Sequence, residues 1–589
     1  MKTKWMVANK KADFDSIAGK FGIDRVLARI IRNRDITQEK DIDMFLNGDS
    51  SCFHDPMLMK DMDKAVSVLK EKQGQDIRIR VIGDYDVDGV CSTFILLKGL
   101  KKAGFDVDTV IPHRIRDGYG LNDNLINEAY QDGVDTIVTC DNGISAFDQI
   151  ELANSLGMCV VVTDHHEVPF EIENEEKRYI IPNAAAVVDP KRADCNYPYP
   201  QICGAFVAFK FVQALLGEEF DSLFEELLPF AAMATVCDVM PLLDENRVVV
   251  KEGLRLLKNP ANEGLRALIS VCGLSDKNIS AYHLGFVLGP TVNATGRLDT
   301  AQRALELFSS KNFMEGATVA SDLKSLNEAR KVMTDEGKNA AIAMIESESM
   351  LSDRVLVIFL PEFHESIAGI IAGRIKEKYN RPTIVFTNAE EGIKGSGRSI
   401  ETYDMFAELS KVKDLFTKFG GHPMAAGMSL RSEKDIEELR RRLNENCLLT
   451  DEDMVKMVHV DVPMPLSYIS MPLIESFELL EPTGTGNPKP LFATAKISLL
   501  SYEKKGKNRV IGKLRIADET DCSFDMVYFE DLSDFDEFLV SNFGNEVMEK
   551  LMAGRCLMNE AVIKIVYYPD INEFNGRKNV QLIMKYYDI

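Results

Sequence analysis

The chain is poor in positive charge and has nothing long enough to cross a bilayer. Among its 589 residues, 92 acids outnumber 69 lysines and arginines, for a net charge of −23. Over the whole chain this argues against nucleic acid, because phosphate binding wants a basic footprint. Two things soften the objection. Bound cations would cancel part of the acid, and Arg440-Arg441-Arg442 and the run 504–513 are locally basic, although the plain reading of each is a solvated helix or strand face. No apolar run approaches the roughly 20 residues of a membrane span. The opening Met1-Lys2-Thr3-Lys4-Trp5-Met6 leads into polar sequence rather than a signal core. A cytoplasmic protein with no membrane association is expected. No Cys-x-x-Cys pair occurs among the eleven scattered cysteines, so they read as reduced thiols, not as a disulfide frame or a zinc site. Internal repeats and low-complexity tracts are also missing.

What is present is length and alternation. At 589 residues several domains are expected, since single cores stop growing at roughly 250–300 residues. Strands are predicted at 77–82, 105–111, 134–139, 158–163 and 184–188, with helices at 90–100 and from about 145. This is the rhythm of βαβ units and predicts a parallel sheet covered by helices on both faces. Residues 251–350 turn helical, and the stretch after Lys311 carries Leu323, Leu326, Ala329 and Met333 at helical spacing. A second α/β segment follows, with strands at 355–360 and 383–386, a helix at 366–378, and two glycine-rich turns at 395–399 and 420–427. After about residue 455, five short strands (493–500, 510–516, 523–528, 561–568, 580–585) and one helical insertion near 534–551 fit a small OB-like β-barrel. The expected organisation is therefore α/β multidomain: an N-terminal segment 1–74, a parallel-sheet domain 75–250, a helical connector 251–350, a smaller α/β lobe 351–454, and the barrel 455–589.

Four polar clusters follow apolar runs: Asp84-Tyr85-Asp86-Val87-Asp88-Gly89, Asp141-Asn142-Gly143, Asp164-His165-His166, and Cys237-Asp238-Val239-Met240-Pro241. In open parallel sheets ligands sit outside the carboxyl ends of the strands, where three of these clusters fall. Two carboxylates ~4 Å apart repel by roughly 4 kcal/mol at an effective dielectric of 20, so gathered acids imply a cation. In an extended segment Asp84, Asp86 and Asp88 would share one face, with Gly89 letting the chain turn closely into the next helix. Oxygen ligands with imidazole and no thiolate suit Mn²⁺, or Mg²⁺ where carboxylate dominates. A pair of ions makes hydrolysis of a phosphodiester or phosphoanhydride the natural reaction. Singly, the first cluster could be a calcium loop or simply a turn, the second a turn, and Asp238 a helix-terminal acid. Their joint occurrence in matching positions carries the metal reading.

These four clusters resemble the motifs of the DHH phosphoesterases, and Gly420-Gly421-His422 through Gly427 resembles the glycine-rich motif of the accessory DHHA1 domain. The more specific resemblance is to the RecJ family of bacterial single-strand-specific exonucleases. It rests on the loop 117–122, the segment 289–298 (Gly289-Pro290 to Gly296-Arg297-Leu298) and Pro482 to Pro490, similar to the approach to that family's OB-fold. Ile82, where many DHH enzymes carry histidine, also favours RecJ. The segment 363–370 matches only loosely, so His364 is open between a functional role and a helix-capping one.

The resemblance implies a DHH lobe at 75–250, a DHHA1 lobe at 351–454 and an OB-fold that binds nucleic acid. It implies Asp86, Asp88, Asp141, His165 and Asp238 as ligands of two Mn²⁺ or Mg²⁺ ions, with Asp141 a candidate bridge and Asp84 ligating directly or through water. His166, with Asp141 and His165, belongs to the catalytic set and would face the scissile phosphate, while Asp164 orients a neighbour. Arg297, Ser396, Arg398 and His422 would grip nucleotide phosphates. The implied activity is processive 5′-to-3′ hydrolysis of single-stranded DNA to mononucleotides in repair and recombination, with a helicase and a single-strand-binding protein as possible partners. The alternatives are a DHH phosphodiesterase of short oligoribonucleotides or cyclic dinucleotides, and a non-catalytic DHH-type replication scaffold.

Overall fold

The structure is a computed structural model that describes residues 3–589 except 115–117, 119, 174, 175, 348, 349, 391, 508 and 575. Residues 49–455 form one compact unit; Lys2–Gly48 together with Lys456–Ile589 form another.

The first unit is built on five parallel strands: β1 (Arg78–Ile82), β2 (Asp106–Val110), β3 (Thr136–Cys140), β4 (Cys159–Thr163) and β5 (Ala186–Val188), in the order β2-β1-β3-β4-β5. They are rich in Val, Ile and Thr, as strands buried on both faces are. One face is filled by Phe94, Phe206 and Phe230 and the other by Ile126, Ile150 and Val160. Register brings the carboxyl ends level: Ile82 pairs with Val110 and Thr139, Cys140 with Thr163, and Thr163 with Val188. Helices α1 (Val87–Lys102), α2 (Gly204–Leu216) and α3 (Asp221–Cys237) cover the first face. Gly99 of α1 lets α2 come close, since a Cβ there would lie 2.4 Å from Val212. On α2, the fully buried Lys210 ammonium meets Glu245 of α4 (Asp244–Leu256) at 3.0 Å. Tyr197 donates its hydroxyl to the same carboxylate, and Phe53 and Phe206 present their rings to the ammonium. A buried charge is tolerated only when paired in this way.

The connector is helical, as expected, and ends in α5 (Phe313–Ser347). The buried stripe of α5 is Ala320, Leu323, Asn327, Thr334, Ala341 and Ile345. Leu326 and Met333 flank it half-buried, and Ala329 is exposed. Beyond lies a mixed sheet of β6 (Leu356–Phe359), β7 (Thr383–Asn388), β8 (Ile393–Arg398), β9 (Phe416–His422) and β10 (Ala425–Leu430), ordered β9-β10-β8-β7-β6, with helix α6 (Ala368–Tyr379) against it. Here the sequence reading needs correction. The glycine-rich stretches expected to be turns lie largely within strands β8, β9 and β10. Glycine is used because a Cβ on Gly395 would lie 2.4 Å from the Phe386 ring, and one on Gly397 2.2 Å from the Met405 sulfur. Packing overrides the weak strand propensity of glycine.

In the second unit β11 (Phe492–Lys505), β12 (Ile511–Ala517), β13 (Ser523–Tyr528), β14 (Val562–Phe574) and β15 (Arg577–Asp588) run in the order β11-β12-β13-β15-β14, and β14 pairs back onto β11. That closure makes a five-stranded barrel with no open edge. Helix α7 (Leu532–Met552) is inserted before β14. The strand Thr3–Val7 runs parallel to Lys456–Val460, and Arg34 forms an ion pair with Asp461. The basic stretches are largely neutralised locally: Arg440 pairs with Asp353, Arg441 with Glu438, Arg442 with Asp414, Lys504 with Asp536 and Lys513 with Asp525. Among the described residues no helix is long and apolar enough to cross a membrane.

Candidate metal centre and phosphate site

The level strand ends place Asp84, Asp141, Asp164 and Asp189 along one rim of the sheet. Asp84, Asp86 and Asp88 do converge, but not as neighbours on an extended strand. The chain turns from β1 into α1 at Asp86, which caps the helix: its Oδ1 accepts from the backbone N–H of Asp88 at 2.9 Å and of Gly89 at 3.1 Å. Asp88 is already helical. Gly89 is required there, because a Cβ would lie 2.4 Å from the Asp84 carbonyl oxygen. Both Asp88 oxygens accept N–H groups from the start of α2, Gly204 and Ala205, each at 2.7 Å, where the helix dipole favours a negative charge.

Asp141 has a left-handed backbone, φ 60°, the strained kind that concentrates at functional sites. A Cβ on Gly204 would come within 2.8 Å of the Asp141 Cβ, so Gly204 admits this side chain. Asn142 ties the strands together by donating to the carbonyls of Ile82 and Cys140. At the end of β4, Asp164 Oδ1 accepts from the backbone of His165 and His166 and from His166 Nδ1 (2.8 Å), while Oδ2 accepts from Ile144 N–H. This is the orienting arrangement expected of a carboxylate behind a functional imidazole. Asp238 ends α3 at a turn in which Val239 is left-handed, φ 60°.

His165 Nε2 lies 3.0 Å from Asp141, 3.4 Å from Asp88 and 3.7 Å from Asp238. Three groups bring ligand atoms within 4.8 Å of one another: Asp84, Asp86 and Asp141; Asp88, His165 and Asp238; Asp141, His165 and His166. The residues fit a divalent cation. Asp84 Oδ1 and Asp238 Oδ2 are buried without a hydrogen-bond partner, and a cation would satisfy them. Burial, and then Asp86 beside it, push the Asp84 carboxyl up to about 8; burial, then Asp88 and Asp86, do the same to Asp238. Burial and the neighbouring acids raise Asp141 and Asp88 as well. Burial lowers His165, keeping its imidazole neutral as a ligand must be. Burial opposes a charge on His166, but the Asp164 carboxylate overrides it and holds His166 up to about 9.

Across a small cavity of about 230 Å³, lined by Tyr85, Arg114, Ser366, Lys394 and Ser396 among others, stands a cationic wall. Arg297 donates to the Ser366 carbonyl at 2.7 Å. Burial, then Arg114, Arg330 and Arg398, push its guanidinium down to about 9. Burial and then Arg114 lower Arg398, which donates to Ser396 Oγ at 3.3 Å. Neither of these arginines, nor Arg114, forms an ion pair with a carboxylate among the described residues, so the wall is built for an anion. Gly296 is needed for this closeness, since its Cβ would lie 2.4 Å from the Tyr85 carbonyl oxygen. His422 is exposed. It shares the register of Arg398, both pairing with Ala425, but stands two strand spacings away, about 10 Å. His364 caps the turn before α6, accepting from Ser366 N–H at 3.2 Å. In the loop 117–122, Asp117 and Tyr119 lie outside the described residues.

Sequence reasoning missed two residues. Arg114 follows β2 and lies over the Tyr85 ring at 4.7 Å. Asp189 follows β5, fully buried, with Oδ2 unpartnered; burial and then Asp164 push it up to about 8. The rule that found the other acids, a polar residue just past a buried parallel strand, would have found Asp189; Arg114 lies four residues past β2 and escapes it.

Comparison with known proteins agrees with this geometry. Residues 78–235 match the DHH family N-terminal domain, 352–448 the DHHA1 domain, and 460–586 the RecJ OB domain. The chain is 34% identical over 589 residues to the single-stranded-DNA-specific exonuclease RecJ of Bacillus subtilis, covering 99% of this chain and 70% of that protein. The chain belongs to the RecJ family. A RecJ from Escherichia coli is 32% identical over 554 residues, 89% of each chain. In fold, the structure is similar to RecJ in complex with Mn²⁺ from Thermus thermophilus, with a TM-score of 0.79 at 24% identity over 100% of this chain and 80% of that one. It is also similar to an exonuclease RecJ bound to manganese, with a TM-score of 0.56 at 30% identity over 67% of this chain and 96% of that one.

Proposed function

We propose that this RecJ-family chain is a metal-dependent exonuclease that hydrolyses phosphodiester bonds of single-stranded DNA from the 5′ end, releasing mononucleotides processively. The observation that carries the reading is the facing of two sites in one unit. On one side are five carboxylates and a neutral imidazole with orphaned oxygens. On the other are the guanidiniums of Arg114, Arg297 and Arg398, which have no carboxylate partner among the described residues.

In this reading Asp84, Asp86, Asp88, Asp141, His165 and Asp238 would hold Mn²⁺ or Mg²⁺, two ions in all. Such ions supply a water nucleophile of lowered pKa and neutralise phosphate oxygens. The protein's own groups do the rest. Arg297, Arg398, Arg114 and Ser396 clamp the terminal phosphate, and His422 meets it only from the hairpin's edge. His166, held by Asp164 and charged, donates from Nε2 to the phosphoryl oxygen as negative charge builds. Asp141, strained and buried, is fixed before substrate arrives, which spares reorganisation during reaction.

The barrel supports the reading over a phosphodiesterase of dinucleotides, because it adds a surface such small substrates do not need. The full set of acids and both histidines stands against a silent scaffold. The barrel would hold the incoming strand by stacking and a salt-sensitive groove. A helicase and a single-strand-binding protein would supply and clear that strand in repair and recombination. Eleven free cysteines fit the reducing cytoplasm. The test is digestion of end-labelled single strands in Mn²⁺ by the parent and by Asp141→Ala. Loss of label from the 5′ end as mononucleotide, abolished in the variant, is expected. Degradation from the 3′ end, or an active variant, overturns the assignment.

A further inference from the structure

A second cavity, of about 510 Å³, adjoins the acid cluster on the side away from the arginines. Sheet order fixes that placement. The arginine-side cavity takes Tyr85 and Arg114, which follow β1 and β2, whereas this one takes Glu167 after β4 and Pro190 and Lys191 after β5. In the order β2-β1-β3-β4-β5 these are opposite edges of one rim, with Asp141 between them. The cavity also takes Met240 and Pro241, which follow Asp238 directly.

Its chemistry suits a heterocycle. Pro200, Pro241 and Met240 supply rigid or polarisable apolar faces, and the exposed Gln201 adds a carboxamide that can both donate and accept. Its volume lies in the range of small-molecule sites, roughly 300–1,000 Å³. At its mouth the Lys191 ammonium pairs with Glu167 at 3.2 Å and still acts electrostatically on Asp238 and His165. Lys191 thus stands between cavity and cluster, where a backbone phosphate would pass. Its neighbour Arg192 is committed elsewhere, to Asp61, Asp194 and the Val187 carbonyl, and holds the wall in place.

We infer that this cavity is a base subsite, taking the nucleobase of the nucleotide just beyond the phosphate under attack, on the part of the strand that is retained. The inference rests on the exonuclease reading and extends it. A terminal phosphate lies against the arginines, the scissile phosphate over the acids, and the next base in the cavity. The apolar walls and an ambivalent carboxamide accept any base, so the subsite grips without reading sequence. It helps align the scissile bond at each step.

The experiment uses the full chain in Mn²⁺ and single strands carrying one abasic residue at a defined position, followed by rapid quench. The expected result is a pause when the abasic residue becomes the nucleotide beyond the scissile phosphate, with that step slowed about tenfold, as loss of one base contact predicts. Met240→Ala slows unmodified strand at every step and deepens the pause little, because contact and base are lost together. Gln201→Ala, at an exposed position that does not threaten folding, gives the same non-additivity on a smaller scale. Uniform stepping through the abasic residue, or variant effects that multiply with it, overturns the subsite while leaving the exonuclease intact. A parent enzyme that does not digest unmodified strand overturns the exonuclease reading and the subsite with it.

Discussion

Protons and metal compete for the same oxygens, and the competition can be measured. With Asp84 and Asp238 raised to about 8, each carboxyl in the metal-free protein is about 99% protonated at pH 6 and half-protonated near pH 8. Binding Mn²⁺ must expel those protons. Each expelled proton makes affinity rise about tenfold per pH unit below 8, or 1.36 kcal/mol per unit; two protons make it about a hundredfold. Between pH 6 and 8 the Kd is expected to tighten by up to about four decades. The assay is titration of protein into Mn²⁺ with free ion read by its EPR signal, with calorimetry in two buffers of different ionisation enthalpy to count protons released. Asp84→Asn removes one titrating oxygen and should halve the slope. The same elevation has a consequence for folding. These groups bind protons more tightly folded than unfolded, so their contribution is complete below the unfolded value near 3.8 and is lost as pH rises through about 8. The chelated protein should therefore lose thermal stability over that window and regain it with Mn²⁺. A Kd constant within twofold from pH 6 to 8, with no proton release, would refute the gathering of acids around a cation.

Further outcomes follow from individual contacts. Asp164→Asn removes the negative charge that holds the His166 proton, so its imidazole should fall from about 9 toward the ordinary histidine value, seen by NMR. Activity should drop about 10–100-fold, the usual effect of losing an orienting partner. Val239→Gly relieves a β-branched residue at φ 60° that is 64% exposed; denaturant titration should show a gain of about 1 kcal/mol. Lys210→Met leaves Glu245 charged and buried, and the same titration should show a loss of about 3–5 kcal/mol.

Much of the fold was legible because its signals are local. The apolar runs of β1, β3 and β4 each end in a cluster, and a buried parallel strand must deliver its next polar residue to the sheet's rim. The barrel strands stood out between Gly, Asn and Asp breaks. What escaped depended on contacts between distant residues. Gly395 and Gly397 look like turn formers until Phe386 and Met405 are seen against them. Asp84, Asp86 and Asp88 alternate like one face of a strand, whereas the helix cap at Asp86 is what folds them together. Asp189 stands alone, with no histidine or second acid within four residues of it. Nothing in residues 3–7 announces a partner at 456–460.

That last pairing bears on how the protein is made. Leu27, Ile30 and Ile31, no more than 1% exposed in the finished molecule, leave the ribosome about 400 residues before the segment that completes their unit. At about 5–20 residues per second this is a delay of roughly 20–80 s, during which the α/β lobes can assemble before the strand at 456–460 exists to pair with residues 3–7. Residues 3–31 are thus made well before their unit can close, and a permuted gene that placed Lys2–Gly48 directly before Lys456 would abolish the wait.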